Sequence, residues 1–356
     1  MKLKEFSHRI MDFVKDPNKE IDSLVKLLSV SAEEFFRAYD VIDAKEFAQI
    51  KGFESEIDGE ARKRIIRIRL ELLITLAVAI IPHTIQNDYA KIKSFYDLFF
   101  EEDGRAKEAA NVKLLRRNAL YHIASTNKYE TKKRGALFVL PNKLLHKSQK
   151  FRYNQDGAPC IYMGSTLYNA WEETRRPDFD KANFVLFKPQ KRLRVMSIYI
   201  EPQMHCYGDF VMAYFTMVSA LKTNDDDKYH YQYVVPNLFM SILTHANSVC
   251  EKDVVEGIRY LSSRGFDGKD YEFNSHDIDE AFVFPQRLDA TGTPDDSYLR
   301  KLFLMSDPRN YFYYQVHRYD FSKGEARATE YRNSLFHAIE EQLKKEPVKV
   351  IENEEK

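Results

Sequence analysis

The chain has 356 residues, room for one large domain or two ordinary ones. Lys plus Arg and Asp plus Glu each number 54, so the formal net charge is zero, which argues against a polyanion binder driven by bulk charge. Hydrophobic residues at 44% and charged residues at 30% make disorder a poor reading for most of the chain.

The first residues, MKLKEFSHRIMDFVKD, carry charges throughout and have no apolar core of the kind a secretory signal needs. The longest apolar run, Leu72–Ile81, falls far short of the roughly 20 residues that span a bilayer. Cys160, Cys206 and Cys250 have no paired spacing and read as free thiols of a reducing compartment. The expectation is a soluble cytoplasmic protein without a membrane partner.

Residues 1–118 read as a helical region. Ser31 and Glu34 have capping-box spacing, which predicts a helix start there, and Phe35, Phe36, Tyr39 and Ile42 follow at helical intervals. A longer helix is predicted from Glu60 to Ile81, stopping before Pro82. Its second half is apolar nearly all round and is expected to be buried. Further helices are predicted over Tyr89–Glu102 and over 105–118. Arg62–Arg69 is a basic cluster among acidic residues and reads as a solvated face, so nucleic acid is not an expected partner.

Strand-length apolar runs then appear at Leu120–Ile123, Ala136–Leu140, Cys160–Met163, Phe184–Phe187, Leu193–Ile200, Gly257–Leu261 and Ala281–Phe284. Helical stretches lie between them near Thr166–Arg176, Phe210–Leu221 and Val235–Cys250. The pattern predicts a mixed α+β domain over 119–290. Residues 291–356 read as a mostly helical extension, with an ambiguous stretch at Thr291–Tyr319, a last helix from about Gly324 to Lys345, and a frayed tail. No metal site is expected: His205 and Cys206 lack ligand spacing, and the acidic run Asn224–Asp227 lacks the pattern of a calcium loop.

The informative stretches are residues 150–177, KFRYNQDGAPCIYMGSTLYNAWEETRRP, and 254–268, VVEGIRYLSSRGFDG. A strand followed directly by a helix can gather an arginine, a tyrosine and a carboxylate around one cleft. Each residue also has a plain reading. Arg152 reads as a surface arginine, Tyr162 as a core tyrosine, Glu173 as half of a solvated helical ion pair, and Ser262 and Ser263 as a strand end.

Taken together, these positions resemble the RES domain family. Arg152 in RYN matches its motif arginine. Gly157 and Pro159 match the following turn, Tyr162 its tyrosine ten residues after the arginine, and Glu173 its glutamate 21 residues after it, in an A-x-x-E helix from Ala170. Ser262, in GIRYLSS, matches the motif serine. The resemblance covers about residues 118–286, roughly half the chain. Leu261 stands where members carry proline, which leaves Ser262 and Ser263 both open for the serine slot. No arginine is found on the first strand, where His122 stands instead and could substitute in part, although neutral imidazole is the weaker phosphate ligand.

The resemblance implies an ADP-ribosyltransferase-like fold with NAD as substrate and no bound cofactor. It implies a toxin or defence effector that breaks NAD down by phosphorolysis or hydrolysis, with inorganic phosphate, a cognate inhibitor protein and a second copy of the chain as conceivable partners. Two alternatives stay open: ADP-ribosylation of a protein target, and a non-catalytic interaction module on a degenerate scaffold. In chemical terms, cleaving the nicotinamide–ribose bond develops positive charge on the ribose, which a carboxylate such as Glu173 would stabilise. Arg152 suits the pyrophosphate, Tyr162 a wall for the nicotinamide ring, and Ser262 a donor to an amide or phosphate oxygen.

Overall fold

The structure, a computed structural model, describes residues 1–15, 23–85, 88–115, 119–128, 130–138, 151–154, 159–220, 231–250, 252–262, 280–288, 294–316 and 331–351. In chain order the elements are α1 (Leu3–Lys15), α2 (Leu24–Asp40), α3 (Gly59–Thr84), α4 (Tyr89–Phe99), β1 (Val112–Leu114), β2 (Leu120–Ser125), β3 (Cys160–Gly164), α5 (Leu167–Glu173), β4 (Ala182–Pro189) and β5 (Arg194–Ile198). There follow α6 (Tyr207–Ser219), α7 (Val234–Val249), β6 (Gly257–Leu261), β7 (Glu280–Pro285), β8 (Arg287–Leu288), β9 (Pro294–Asp295), α8 (Ser297–Leu302), β10 (Phe303–Ser306), β11 (Arg309–Asn310), α9 (Tyr311–Val316), α10 (Leu335–Leu343) and β12 (Val348–Val350). The fold is mixed α+β with N-terminal helices.

Contacts divide the chain into two compact units that differ from the three consecutive segments read from the sequence. The helical unit comprises Met1–Lys113, Phe151–Tyr153 and Val195–Val255. The sheet unit comprises Leu114–Lys150, Asn154–Arg194 and Glu256–Lys356, so residues 291–356 belong to the same body as β2, β3 and α5. The extension is therefore no appendage: its strand β10 pairs with β4 in register Phe303↔Pro189.

In the helical unit, α6 is buried along its whole length. Phe6 of α1, Phe35 and Tyr39 of α2, and Phe47 crowd around Phe210 and Tyr214 of α6 with ring centroids 5.5–6.4 Å apart. Phe95 and Phe99 of α4 meet Phe215 and Phe239 in the same way. Most of these pairs are edge-on or tilted, which fills volume without the repulsion of a face-to-face sandwich, while Phe47 and Phe210 lie nearly parallel at 5.7 Å.

Several sequence expectations change here. Helix α2 starts at Leu24, capped by the Ser23 hydroxyl accepting from Lys26 N at 3.2 Å, because Leu24, Leu27 and Leu28 continue the buried face of Phe35 and Tyr39 upstream. Ser31 lies inside that helix, and Glu34 pairs with Arg37 instead of capping. Helix α3, capped by Asp58, runs through Pro82 to Thr84; proline's fixed φ is helical, and near a helix end it forfeits a single hydrogen bond. Its apolar half is not buried all round, for Leu72 and Leu76 are 62% and 40% exposed. The helix expected over 105–118 is, in its described part, a 3-10 turn at Glu108–Ala110, a left-handed Asn111 (φ 46°) and β1. Asn111 breaks the helix because that conformation cannot be propagated by L-residues.

The sheet unit carries strands in the order β6-β7-β3-β2-β4-β10-β12, with β11 also pairing with β4. Each of these pairings is antiparallel. Strands β3, β4, β6 and β7 fall where the apolar runs predict them. At Ala136–Leu140 the described part holds a 3-10 turn, Arg134–Leu137, in place of a strand. The described part of the last helix is Leu335–Leu343; residues 324–330 lie outside the described residues. The tail expected to fray instead forms β12, paired with β10 in register Leu304↔Val350. Val348 and Val350 suit a strand, and open backbone groups on β10 provide the partner.

One face of this sheet packs against α5 and α10. Tyr121 and Ile123 of β2 and Phe184 and Leu186 of β4 pack with Leu167, Tyr168 and Ala170 of α5 and with Phe336, Ile339 and Leu343 of α10. These α10 residues recur at three and four positions, the spacing that faces one side of a helix. Among the described residues no helix is long and apolar enough to cross a membrane.

Candidate functional site

The strand register decides which side chains share the α5 face. Gly164 of β3 lies opposite Ala281 of β7, and Ala281 opposite Tyr260 of β6. One row over, Tyr162, Val283 and Ile258 are aligned in the same way. Directly opposite residues point to the same side and alternate residues along a strand share it. Tyr162, Tyr260 and, just beyond the end of β6, Ser262 therefore belong to the face that carries Tyr121.

Helix α5 can lie on this face because residue 164 is glycine. A Cβ there would stand 2.5 Å from Ala170 N and 2.6 Å from Thr166 O, both backbone atoms that cannot move aside alone. Thr166 caps the helix by accepting from Asn169 N at 3.1 Å. At the other end Arg175 N donates to Glu172 O and Arg176 N to Trp171 O, closing the helix with Arg175 and Arg176 in left-handed conformation (φ 64° and 52°). The helix thus stops directly after Glu173.

Glu173 is the centre of the arrangement. The Tyr260 hydroxyl donates to its Oε2 at 2.7 Å and the Ser262 hydroxyl to its Oε1 at 2.5 Å. Ser262 is 1% exposed, Tyr260 is buried and Glu173 half-buried. Each carboxylate oxygen keeps a second lone pair, so the group can still accept from a ligand. Glu172, its neighbour, is buried and takes the ordinary helical ion pair, accepting from Arg176 Nε at 2.9 Å. The two adjacent glutamates thus have separate environments.

Tyr162 donates its hydroxyl to Asn154 Oδ1 at 3.1 Å, and Asn154 also accepts from Cys160 N at 3.4 Å. Asn154 therefore fastens the segment before β3 to the strand that presents Tyr162. Burial pushes the Cys160 thiol up to about 12, so it is inert at neutral pH. His122 is not brought to this face. It alternates with Tyr121 and Ile123, its ring meets Phe187 on the opposite side, and its Nδ1 lies 2.8 Å from Tyr162 O. Burial pushes its imidazole below the ordinary value, favouring the neutral form, so the expected phosphate contact at His122 is corrected to a structural one.

Arg152 belongs to the helical unit. Its guanidinium donates to Ser219 O, at the C-terminal end of α6, and stands 5.5 Å from the Tyr233 ring centroid. A cation is favoured at that end of a helix dipole. Pro159 is buried, while Gly157 and Ser263 lie outside the described residues. Among the described residues no group of three His, Cys, Asp or Glu could hold a metal ion.

Two contributors escaped the sequence reading. Tyr260 stands two residues before Ser262, and strand period alone puts both on one face. Gly164 stands two residues after Tyr162; what it does depends on contacts across the fold. Compared with known proteins, the chain matches no family model, no curated protein and no solved structure.

Proposed function

We propose that the protein cleaves the nicotinamide–ribose bond of NAD by phosphorolysis or hydrolysis, as a toxin or defence effector of the RES type. The observation that carries this reading is the Glu173 carboxylate at the end of α5, held by two hydroxyl donors and half-open to a ligand. The residue resemblance supplies the substrate; the chemistry follows from the group. The C–N bond to nicotinamide breaks with its electron pair passing to the ring nitrogen, which loses its positive charge. That leaves an oxocarbenium-like ribose, and a fixed carboxylate lowers its energy. Phosphate or water then bonds to the anomeric carbon, and in hydrolysis the water's proton passes to solvent.

Within this reading the Tyr260 and Ser262 hydroxyls hold the orientation of the Glu173 carboxylate, one bond to each of its oxygens. Nicotinamide leaves as a neutral molecule, so no strong general acid is required. Tyr162 offers an aromatic wall on the same sheet face.

The test is nicotinamide release from NAD by the full chain, with and without inorganic phosphate, beside Glu173→Ala. Release by the wild type and at least about 100-fold less by the variant is the expected outcome, on the scale of removing one electrostatic stabiliser. Dependence on phosphate would assign phosphorolysis. Equal release by both proteins would refute the role of Glu173, and transfer of label from NAD to protein would assign ADP-ribosylation instead.

A further inference from the structure

The catalytic helix of this proposal is short. With seven residues, α5 makes about two turns, too few to persist without tertiary support. Besides the sheet strands β2 and β3 beneath it, α5 is supported by α10, far along the chain. Phe336 lies with its ring centroid 5.3 Å from both Tyr168 and Trp171. One turn later, Glu340 reaches the start of α5, where its Oε1 accepts from Leu167 N at 2.6 Å. The same oxygen accepts from the Tyr331 hydroxyl. Glu340 is 4% exposed, and no sequence motif marks it.

We propose that Glu340 is a positioning residue of the candidate site: by holding the first N–H of α5 it fixes the helix that presents Glu173 to Tyr260 and Ser262. This rests on the reading of Glu173 as the catalytic carboxylate. The geometry favours a positioning role over simple core filling. A carboxylate is costly to bury, and an apolar side chain at 340 would have continued the packing of Phe336 and Ile339. What the carboxylate adds is one directional bond to the helix start. Thr166 already caps this terminus through Asn169 N, so Glu340 engages a different amide and the two together anchor both register and rotation.

Burial raises the Glu340 carboxyl to about 7, against the lowering effects of Tyr331, Leu167 N and Lys344. Glu341 of the same helix raises it further, and Tyr121 of β2 adds to the field at Tyr331. His337, one turn back, faces Tyr331 at 5.9 Å between ring centroids. The bond to Leu167 is therefore adjustable by pH near neutrality, which gives the test a signature that packing alone would lack.

Trp171, the single tryptophan, sits on α5 and reports its seating. In the full chain, Trp171 emission should titrate with a midpoint near pH 7 in the wild type, and this inflection should vanish in Glu340→Gln. Hydrogen exchange of the Leu167 amide should be at least about tenfold faster in Glu340→Ala, the scale of one buried hydrogen bond. kcat for nicotinamide release should fall about 10- to 100-fold in Glu340→Ala, with KM within about twofold, as expected for a displaced catalytic group. Glu340→Gln, which keeps the acceptor, should restore most of kcat; Tyr331→Phe serves if Glu340→Ala does not fold, and should shift the emission midpoint. Wild-type Leu167 exchange and wild-type kcat in Glu340→Ala would overturn the inference. A wild-type protein that releases no nicotinamide, yet loses Leu167 protection and the emission midpoint on substitution, would overturn the NAD reading while leaving the hold on α5 established.

Discussion

Ionising Glu340 should cost the sheet unit stability as pH rises. Its carboxyl is raised from 4.5 to about 7 by burial, so the folded state binds the proton more tightly than the unfolded chain does. The stabilising proton is fully in place below pH 4.5 in both states, and the advantage is lost as pH climbs through 7. A shift of about 2.5 units corresponds to roughly 3 kcal/mol between the acid and alkaline limits. Between pH 5.5 and 8, the span most easily measured, linkage gives a loss of about 2 kcal/mol. The assay is urea unfolding followed by Trp171 emission, which reports the sheet unit, for the wild type and for Glu340→Gln. Other groups titrate in this span, so the quantity that matters is the difference between the two proteins. The wild type should lose about 2 kcal/mol more than the variant on going from pH 5.5 to 8. Parallel pH profiles, or a steeper one for Glu340→Gln, would refute the assignment of a neutral Glu340 in the folded state.

Ser262→Ala and Tyr260→Phe should each lower nicotinamide release by about 10-fold or more, because each removes a donor that holds the carboxylate in place. Wild-type release by both variants would count against a positioning role for these hydroxyls. Arg175→Gly should stabilise the sheet unit by roughly 0.5–1 kcal/mol in the same urea assay, since glycine adopts the left-handed conformation at 175 without a Cβ clash. A loss of stability there would mean that the arginine side chain contributes more than its backbone strain costs.

Local patterning carried much of the architecture. The runs at Cys160–Met163, Phe184–Phe187, Gly257–Leu261 and Ala281–Phe284 are apolar, flanked by turn residues, and fold as strands in the sheet unit. Boundaries were harder where a residue type serves two purposes. Ser31 resembles a cap, yet the leucines before it extend the helix beneath the serine, and burial of that face outweighs the capping signal. The exposure of Leu72 and Leu76 could not be foreseen, since an all-apolar stretch gives no clue to which side lacks a neighbour.

The site divides along a similar line. Glu173, Tyr162 and Ser262 were legible because they lie in two short stretches at ordered intervals. Their shared sheet face comes from the register of three strands widely separated in sequence. Glu340 was illegible: it lies in a segment read as an extension, and a glutamate on an amphipathic helix ordinarily faces water. The A-x-x-E spacing singled out Glu173 over Glu172 in the sequence; the surroundings of the two, a neighbouring arginine for Glu172 and two hydroxyls for Glu173, depend on the fold.

Strand β12 has a bearing on how this protein behaves at high concentration. Three residues long, with Lys349 in its middle, it occupies the side of β10 away from β4 and terminates the strand order. Lys349 lies 3.3 Å from Asp307 and presents a charge to any strand that would dock alongside. An uncovered β10 would offer Phe303–Ser306, a run with little charge, as a template for intermolecular pairing. Removing residues from 348 onward would thus favour precipitation over simple unfolding, and a fusion partner is better joined at the other terminus.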